Sequence, residues 1–257
     1  MRLAGKSAIV TGGASGIGAA SVEAFVRAGE AVTIADISDA GEALAARLRG
    51  EGGAVRHVRA DMAKTGDVAA LFDAHMGAFG ALDILFNNAS TVGVTKPIAD
   101  TTEEEMDQFL AVNFKSVFLA CKQAAPIMTA AGRGSIINTS SASSREGLAW
   151  AHLGGYTASK GAVVAFTRVL AVELSPMGVR VNSLSPGVVD TPMTRAAAGR
   201  NPDPAATIAH MSGIQLLHRM ARPDELARAA LFLASDDSSY VTGIDMLVDG
   251  GLVLGGG

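Results

Sequence analysis
The stretch Ser7-Ala8-Ile9-Val10-Thr11-Gly12-Gly13-Ala14-Ser15-Gly16-Ile17-Gly18 sets the reading of everything after it. A short apolar run breaks into glycines and then opens an Ala-rich amphipathic segment, the pattern of a strand, a tight turn and a helix. Glycine tolerates positive φ and lets another group approach the backbone with no Cβ in the way. The first turn of a helix offers unpaired N–H groups and the positive end of the helix dipole. Together these make a seat for the two phosphates of a dinucleotide. Gly12, Ser15, Gly16, Ile17 and Gly18 are the expected contacts.

Outward from this turn the alternation repeats. Strands are expected at residues 7–10, 31–35, 55–60, 82–86, 135–139, 179–184 and 244–248. Helices are expected near 16–28, 40–49, 67–79, 103–129, 156–174 and 223–234. Apolar strands separated by helices predict a doubly wound α/β fold, a parallel sheet of about seven strands with helices on both faces, built as a single Rossmann-type domain over residues 1–257. Its ligand belongs beyond the carboxyl ends of the strands. Residues 186–213 are rich in Pro, Thr, Met and Ala, lack a clear period, and read as a flap over the site with no assigned structure.

Of the 257 residues, 49% are hydrophobic and 18% charged, enough to bury a sizeable core. The formal net charge of −4 gives no general attraction to nucleic acid or to an anionic membrane, and neither is expected as a partner. The single cysteine, Cys121, excludes an internal disulfide and reads as a small buried apolar residue. The five histidines show no H-x-x-x-H spacing, so no metal site is expected. No apolar h-region leads the first strand and no uninterrupted apolar run reaches bilayer length, so a soluble cytoplasmic protein is the expectation.

The second strand ends Thr33-Ile34-Ala35-Asp36-Ile37. A carboxylate at that strand end accepts both ribose hydroxyls of an adenosine and repels a 2′-phosphate, and neither the glycine turn nor position 37 carries a cation. The expected cofactor is NAD rather than NADP. Further on, Tyr156-Thr157-Ala158-Ser159-Lys160 opens a helix, and residues four apart share a helical face. Moving a hydride from an alcohol needs a base for the hydroxyl proton, yet a free phenol titrates near ~10. A fixed cation beside it favours the phenolate, so Lys160 is expected to draw the Tyr156 pKa down while also reaching the nicotinamide ribose.

T-G-x-x-x-G-x-G at 11–18 and Y-x-x-x-K at 156–160 resemble the short-chain dehydrogenase/reductase family, and other segments extend the likeness in the same order from about Leu3 to Gly251. The resemblance implies an adenine contact at Asp61 followed by Met62, and a segment Asn87-Asn88-Ala89-Ser90 similar to the family's N-N-A-G, with serine in place of glycine. From that segment it implies cofactor contacts at Asn88 and Ala89. Ser185-Pro186-Gly187-Val188-Val189-Asp190-Thr191 resembles P-G-x-x-x-T, which implies that Pro186, Gly187, Val189 and Thr191 anchor the nicotinamide carboxamide. Asn113 matches a mid-helix asparagine that opens its helix and holds a water relaying protons from the lysine. A serine at the end of the fifth strand would hold the substrate oxygen. Reading forward from the strand gives Ser141, whereas counting back from Tyr156 gives Ser143; we take Ser141, since a strand end fixes position better than a loop. Trp150 and His152 precede Tyr156 and are candidates for the pocket wall, or residues packed on the protein itself.

The implied activity is hydride transfer between NAD(H) and a secondary alcohol or ketone, a small-molecule substrate. A homotetramer is implied through the two long helices and the last strand. Two rivals keep the nucleotide and change the role: an epimerase or dehydratase-like relative, and a non-enzymatic NAD-binding sensor. Substrate choice would reside in residues 90–96, 145–155 and 193–213.

Overall fold
Successive side chains of a strand point to opposite faces of its sheet, so a strand buried on both faces must feed two cores. In β1 (Ser7–Thr11), Ala8 and Val10 join one core and Ile9 the other. The same split recurs in β2 (Ala31–Asp36), β4 (Ile84–Asn87) and β5 (Gly134–Thr139), where Ile84, Phe86 and Ile137 face one way and Leu85 and Ile136 the other. A computed structural model of the chain describes residues 2–93, 95–145 and 151–255. With β3 (Val55–Arg59), β6 (Val179–Pro186) and β7 (Asp245–Val248), these form a parallel sheet of seven strands in the order β3-β2-β1-β4-β5-β6-β7.

One face is covered by α1 (Gly16–Arg27), α2 (Ala40–Gly50) and α9 (Pro223–Ala234), which contribute Val22, Phe25, Leu48 and Leu233 to its core. The opposite face is covered by α3 (Thr65–Phe79), α5 (Ser116–Ala131) and α6 (Gly154–Leu174), through residues such as Leu71, Ala120 and Val163. The doubly wound α/β expectation is met, with strand ends moved by two residues at most. Strand order reverses between β1 and β4, and a crevice opens there at the carboxyl ends, as the fold class demands. No helix among the described residues is long and apolar enough to cross a membrane.

Two segments differ from the sequence expectation. The helix expected over 103–129 is broken: α4 (Glu103–Leu110) passes through a π turn, Ala111–Lys115, before α5 begins. The flap left without structure contains α7 (Pro192–Ala198) and α8 (Pro204–Gly213). Their start signals are local: Thr191 Oγ1 accepts from Thr194 N–H, Asp203 Oδ1 accepts from Ala206 N–H, and a proline follows each cap. What period analysis missed is the surface they pack on. Met211 and Ile214 rest on a third, small core of Ala142, Val188 and Leu252, the last in α10 (Leu252–Gly255).

Candidate active site
A cleft of about 500 Å³ lies along the carboxyl ends of the strands. Gly12, Ser15, Gly16 and Ile17 line it at one place, Asp36, Asp61 and Met62 at another, and Asn88 and Ala89 beside β4. Pro186, Gly187, Val189 and Thr191 line the flap side, with Ser141 and Tyr156 across from them. Gly18, Asn113 and Lys160 stand behind this wall rather than in it.

The glycine turn is shaped for close approach. Gly12 and Gly16 hold φ of +63° and +53°. A Cβ on Gly12 would stand 2.8 Å from Ala89 Cα, and one on Gly18 would stand 2.0 Å from the Gly12 carbonyl oxygen. Ser15 occupies the N-cap of α1 without capping an amide through its side chain, so the helix opens toward the cleft with its first-turn donors uncapped by that residue. These residues fit a dinucleotide diphosphate. Thr11, which the sequence reading passed over, ties the turn to β4: its hydroxyl accepts from the N–H groups of Asn88 (3.0 Å) and Ala89 (3.1 Å). Asn88 Nδ2 donates in return to the Thr11 and Gly12 carbonyls, so this side chain braces the turn.

Asp36 closes the end of the cleft at the carboxyl end of β2. Its carboxylate accepts from Ala14 N–H at 3.0 Å and Ser38 N–H at 2.9 Å, which locks it against the turn. The expectation that no cation attends this end holds for the turn and position 37 only. The β2–β3 register sets Asp36 against Arg59, whose guanidinium donates to the Ile37 carbonyl at 3.1 Å and lies 3.9 Å from Asp39. Register across a parallel sheet is not visible in local sequence, which is why Arg59 was missed.

At the opposite end Ser140 and Ser141 follow β5. Ser140 Oγ donates to the Lys160 carbonyl at 2.9 Å. Ser141 caps the short 3₁₀ turn Ala142–Ser144 and accepts from both Ser143 N–H (3.2 Å) and Ser143 Oγ–H (2.9 Å). Ser141 lines the cleft with Tyr156, near enough for its hydroxyl to favour the phenolate, whereas Ser143 is buried behind it.

Lys160 is buried, donates from Nζ to the Thr139 carbonyl at 2.8 Å, and lies 5.9 Å from the centre of the Tyr156 ring. Burial pushes the lysine pKa down to about 7. The sequence predicts a phenol lowered by Lys160. Instead burial pushes the Tyr156 pKa above the ordinary value, and the neighbouring Ser141 hydroxyl offsets this only in part. A lysine itself drawn toward neutrality cannot act as a strong fixed cation.

Asn113 sits in the π turn, fully buried, which excludes a surface role. Its Nδ2 donates to the Thr91 carbonyl (2.9 Å) and Ser159 Oγ (3.0 Å), and its Oδ1 accepts from Thr91 N–H (2.8 Å). The side chain therefore pins the 90–96 segment to α6 and makes no bond to Lys160. Of the pocket-wall candidates, Trp150 lies outside the described residues. His152 is exposed with φ of +68°, and Leu153 lines the cleft in its place. Cys121 is buried and its thiol is pushed up to about 12, so it is no nucleophile. Among the described residues no cluster of His, Cys, Asp and Glu could hold a metal.

Comparison with known proteins agrees with this architecture. A family model described as "Enoyl-(Acyl carrier protein) reductase" matches residues 12–253. Momilactone A synthase of Oryza sativa subsp. japonica is 45% identical, the match covering 98% of this chain and 91% of that one. The 3-alpha-(or 20-beta)-hydroxysteroid dehydrogenase of Mycobacterium tuberculosis is 42% identical, over 99% of this chain and 92% of its own. The crystal structure of levodione reductase superposes with a TM-score of 0.94 at 31% identity, covering 98% of this chain and 99% of that one. The chain belongs to the short-chain dehydrogenase/reductase family. It is an oxidoreductase of CH–OH groups with a nicotinamide cofactor, which is favoured over the epimerase or dehydratase and sensor readings.

Proposed function
We propose that this chain is an NAD-dependent dehydrogenase of a secondary alcohol, working as one domain with residues 186–213 as the flap over its substrate. The observation that carries the reading is a single cleft with Asp36 at one end and the Ser141–Tyr156 pair at the other. When bound, the oxidised nicotinamide supplies a hydride acceptor and a positive charge beside the phenol. Ser141 holds the substrate oxygen, and Tyr156 Oη takes the hydroxyl proton as the carbinol carbon gives up its hydride. Lys160, close to half-charged near neutrality, passes protons to and from the phenol and binds the ribose hydroxyls. Asp61 and Met62 border the adenine. Asn88 and Ala89 flank the diphosphate turn, and the Pro186–Gly187 bend with Val189 and Thr191 holds the carboxamide. Asn113 acts as a positioning residue, and its helix break leaves space for the relay water.

The homotetramer belongs to the same reading. Phe118 of α5 and Val169 and Val172 of α6 are exposed large apolar side chains on the two long helices, with Phe166 tilted against Phe118 and Phe114 edge-on to Phe166. Leu216, Leu217, Tyr240 and Leu254 form further exposed apolar surface in the C-terminal part of the chain.

Cofactor choice tests the assignment. NAD is expected to exceed NADP in kcat/KM by at least about tenfold, since a 2′-phosphate would meet the Asp36 carboxylate. Asp36→Ala narrows the gap by weakening NAD and leaving Arg59 available to the phosphate, and adding Arg59→Ala removes the gain with NADP. Equal or better turnover with NADP by the unaltered enzyme would sink the assignment.

A further inference from the structure
We infer that the substrate is a neutral, largely apolar cyclic alcohol or ketone rather than a hydroxy acid, a phosphorylated compound or a polyol; this rests on the reading above. Around the Ser141–Tyr156 pair the cleft is walled by Val92, Leu153, Val188, Met193, Ala197 and Met211. The only charged side chains lining the cleft, among the described residues, are Asp36 and Asp61 at the adenosine end. Polar groups near the reacting end are hydroxyls: Ser90, Thr95 and Thr194, the last already donating to the Val189 carbonyl at 2.6 Å.

Among the described residues, three cations on the segments around the mouth are paired with carboxylates. Lys96 pairs with Glu105 at 2.7 Å, Arg145 with the buried Asp245 at 3.2 Å, and Arg195 with Asp190 at 2.6 Å. Arg200 donates to the Gly93 carbonyl, joining the flap to the 90–96 segment. A carboxylate or phosphate entering here would lose its hydration with no cationic side chain, among the described residues, lining the cleft to receive it, which is costly. A polyol would find partners at a few hydroxyls such as Ser90 and Thr95, and would lay its remaining hydroxyls against the apolar wall. An apolar ring loses nothing and gains by leaving water; burying two further methylenes is worth about tenfold in affinity.

The test starts from protein loaded with NADH, followed by the fluorescence of the bound nucleotide and by calorimetric titration with four ketones: cyclohexanone, menthone, acetoacetate and dihydroxyacetone. Menthone and cyclohexanone are expected to bind and to be reduced, menthone the tighter, each at least about tenfold better in kcat/KM than acetoacetate or dihydroxyacetone. Met193→Lys, at a partly exposed position of the wall, is expected to keep NADH binding, lose about tenfold toward menthone and gain toward acetoacetate. A preference for acetoacetate or dihydroxyacetone in the unaltered enzyme overturns the inference and leaves the oxidoreductase intact. Loss of folding in Met193→Lys leaves the four-ketone ranking as the deciding measurement. NADH binding with no reduction of any of the four overturns the inference, whereas failure to bind NADH at all overturns the proposed reading on which it rests.

Discussion

Two donors from one residue converge on Ser141 Oγ: the Ser143 hydroxyl at 2.9 Å and the Ser143 N–H at 3.2 Å. An oxygen that accepts twice from behind has its own proton left to point forward, toward the phenol and the substrate oxygen. Ser141→Ala is expected to cut kcat by about a hundredfold, the usual loss for a donor to developing charge, with cofactor affinity unchanged. Ser143→Ala removes one of the two supports and should cost only about threefold to tenfold, since one neutral hydrogen bond is worth about 1 kcal/mol. Ser143→Thr, which restores the hydroxyl, should recover most of it. A larger loss at Ser143 than at Ser141 would reverse the roles. Spacing put Tyr156 and Lys160 on a common helical face, and the glycine turn with the family resemblance gave the pair its expected role. It left the serine open between two counts, because a 3₁₀ turn two residues downstream of the strand determines which hydroxyl faces the cleft. The direction of the Tyr156 shift was not legible either, since it depends on burial.

Among elements, the glycine turn and α3 show what the same residue does in two settings. Gly18 lies where an added Cβ would meet the Gly12 carbonyl oxygen at 2.0 Å, whereas a Cβ on the exposed Gly77 of α3 would meet nothing within 4 Å. Gly18→Ala is therefore expected to destabilise by about 1–3 kcal/mol and to weaken cofactor binding, as overpacking forces the turn apart. Gly77→Ala should stabilise by about 0.5–1 kcal/mol, the ordinary cost of glycine inside a helix. Chemical denaturation of both variants reads the two signs, and a stable Gly18→Ala with normal nucleotide binding would contradict the close-packed turn. Strands and major helices were legible because each carries its own hydrophobic period. The break at Ala111–Lys115 was not, since Asn113 enters it to hold Thr91, a partner 22 residues away in sequence. The second flap helix, α8, escaped for the same reason: the apolar contacts of Met211 lie on the core of Ala142, Val188 and Leu252.

Across the whole molecule, one buried acid stands far from the cleft. Glu30, at the amino end of β2, has both carboxylate oxygens buried without a hydrogen-bond partner. Burial raises its pKa well above the usual 4.5, with the Asp83 carboxylate adding to the shift and Lys6 opposing it. The folded chain thus holds a proton that the unfolded chain releases. The stability this contributes is complete below pH 4.5 and is lost as pH rises through the folded-state pKa. Glu30→Gln should remove that decline, so that its stability relative to the unaltered protein increases with pH. Thermal melts of both proteins across the acid to neutral range check this, and parallel curves would refute it. Lys160 carries the opposite slope between about 7 and 10.5, where the unfolded chain holds the extra proton.

The cleft is assembled from unlike materials along its length. The adenosine end comes from the ends of β1, β2 and β3, where Asp36 is locked to the glycine turn by its own hydrogen bonds. The far end is walled in part by connecting segments and by α7 and α8, the latter resting through Met211 on a small separate core. Selection can therefore act on the two ends separately. On the proposed reading, a lineage that rewrites the flap would acquire a new alcohol while still drawing on the same redox pool, and one that rewrites β2 would change pools without changing its alcohol.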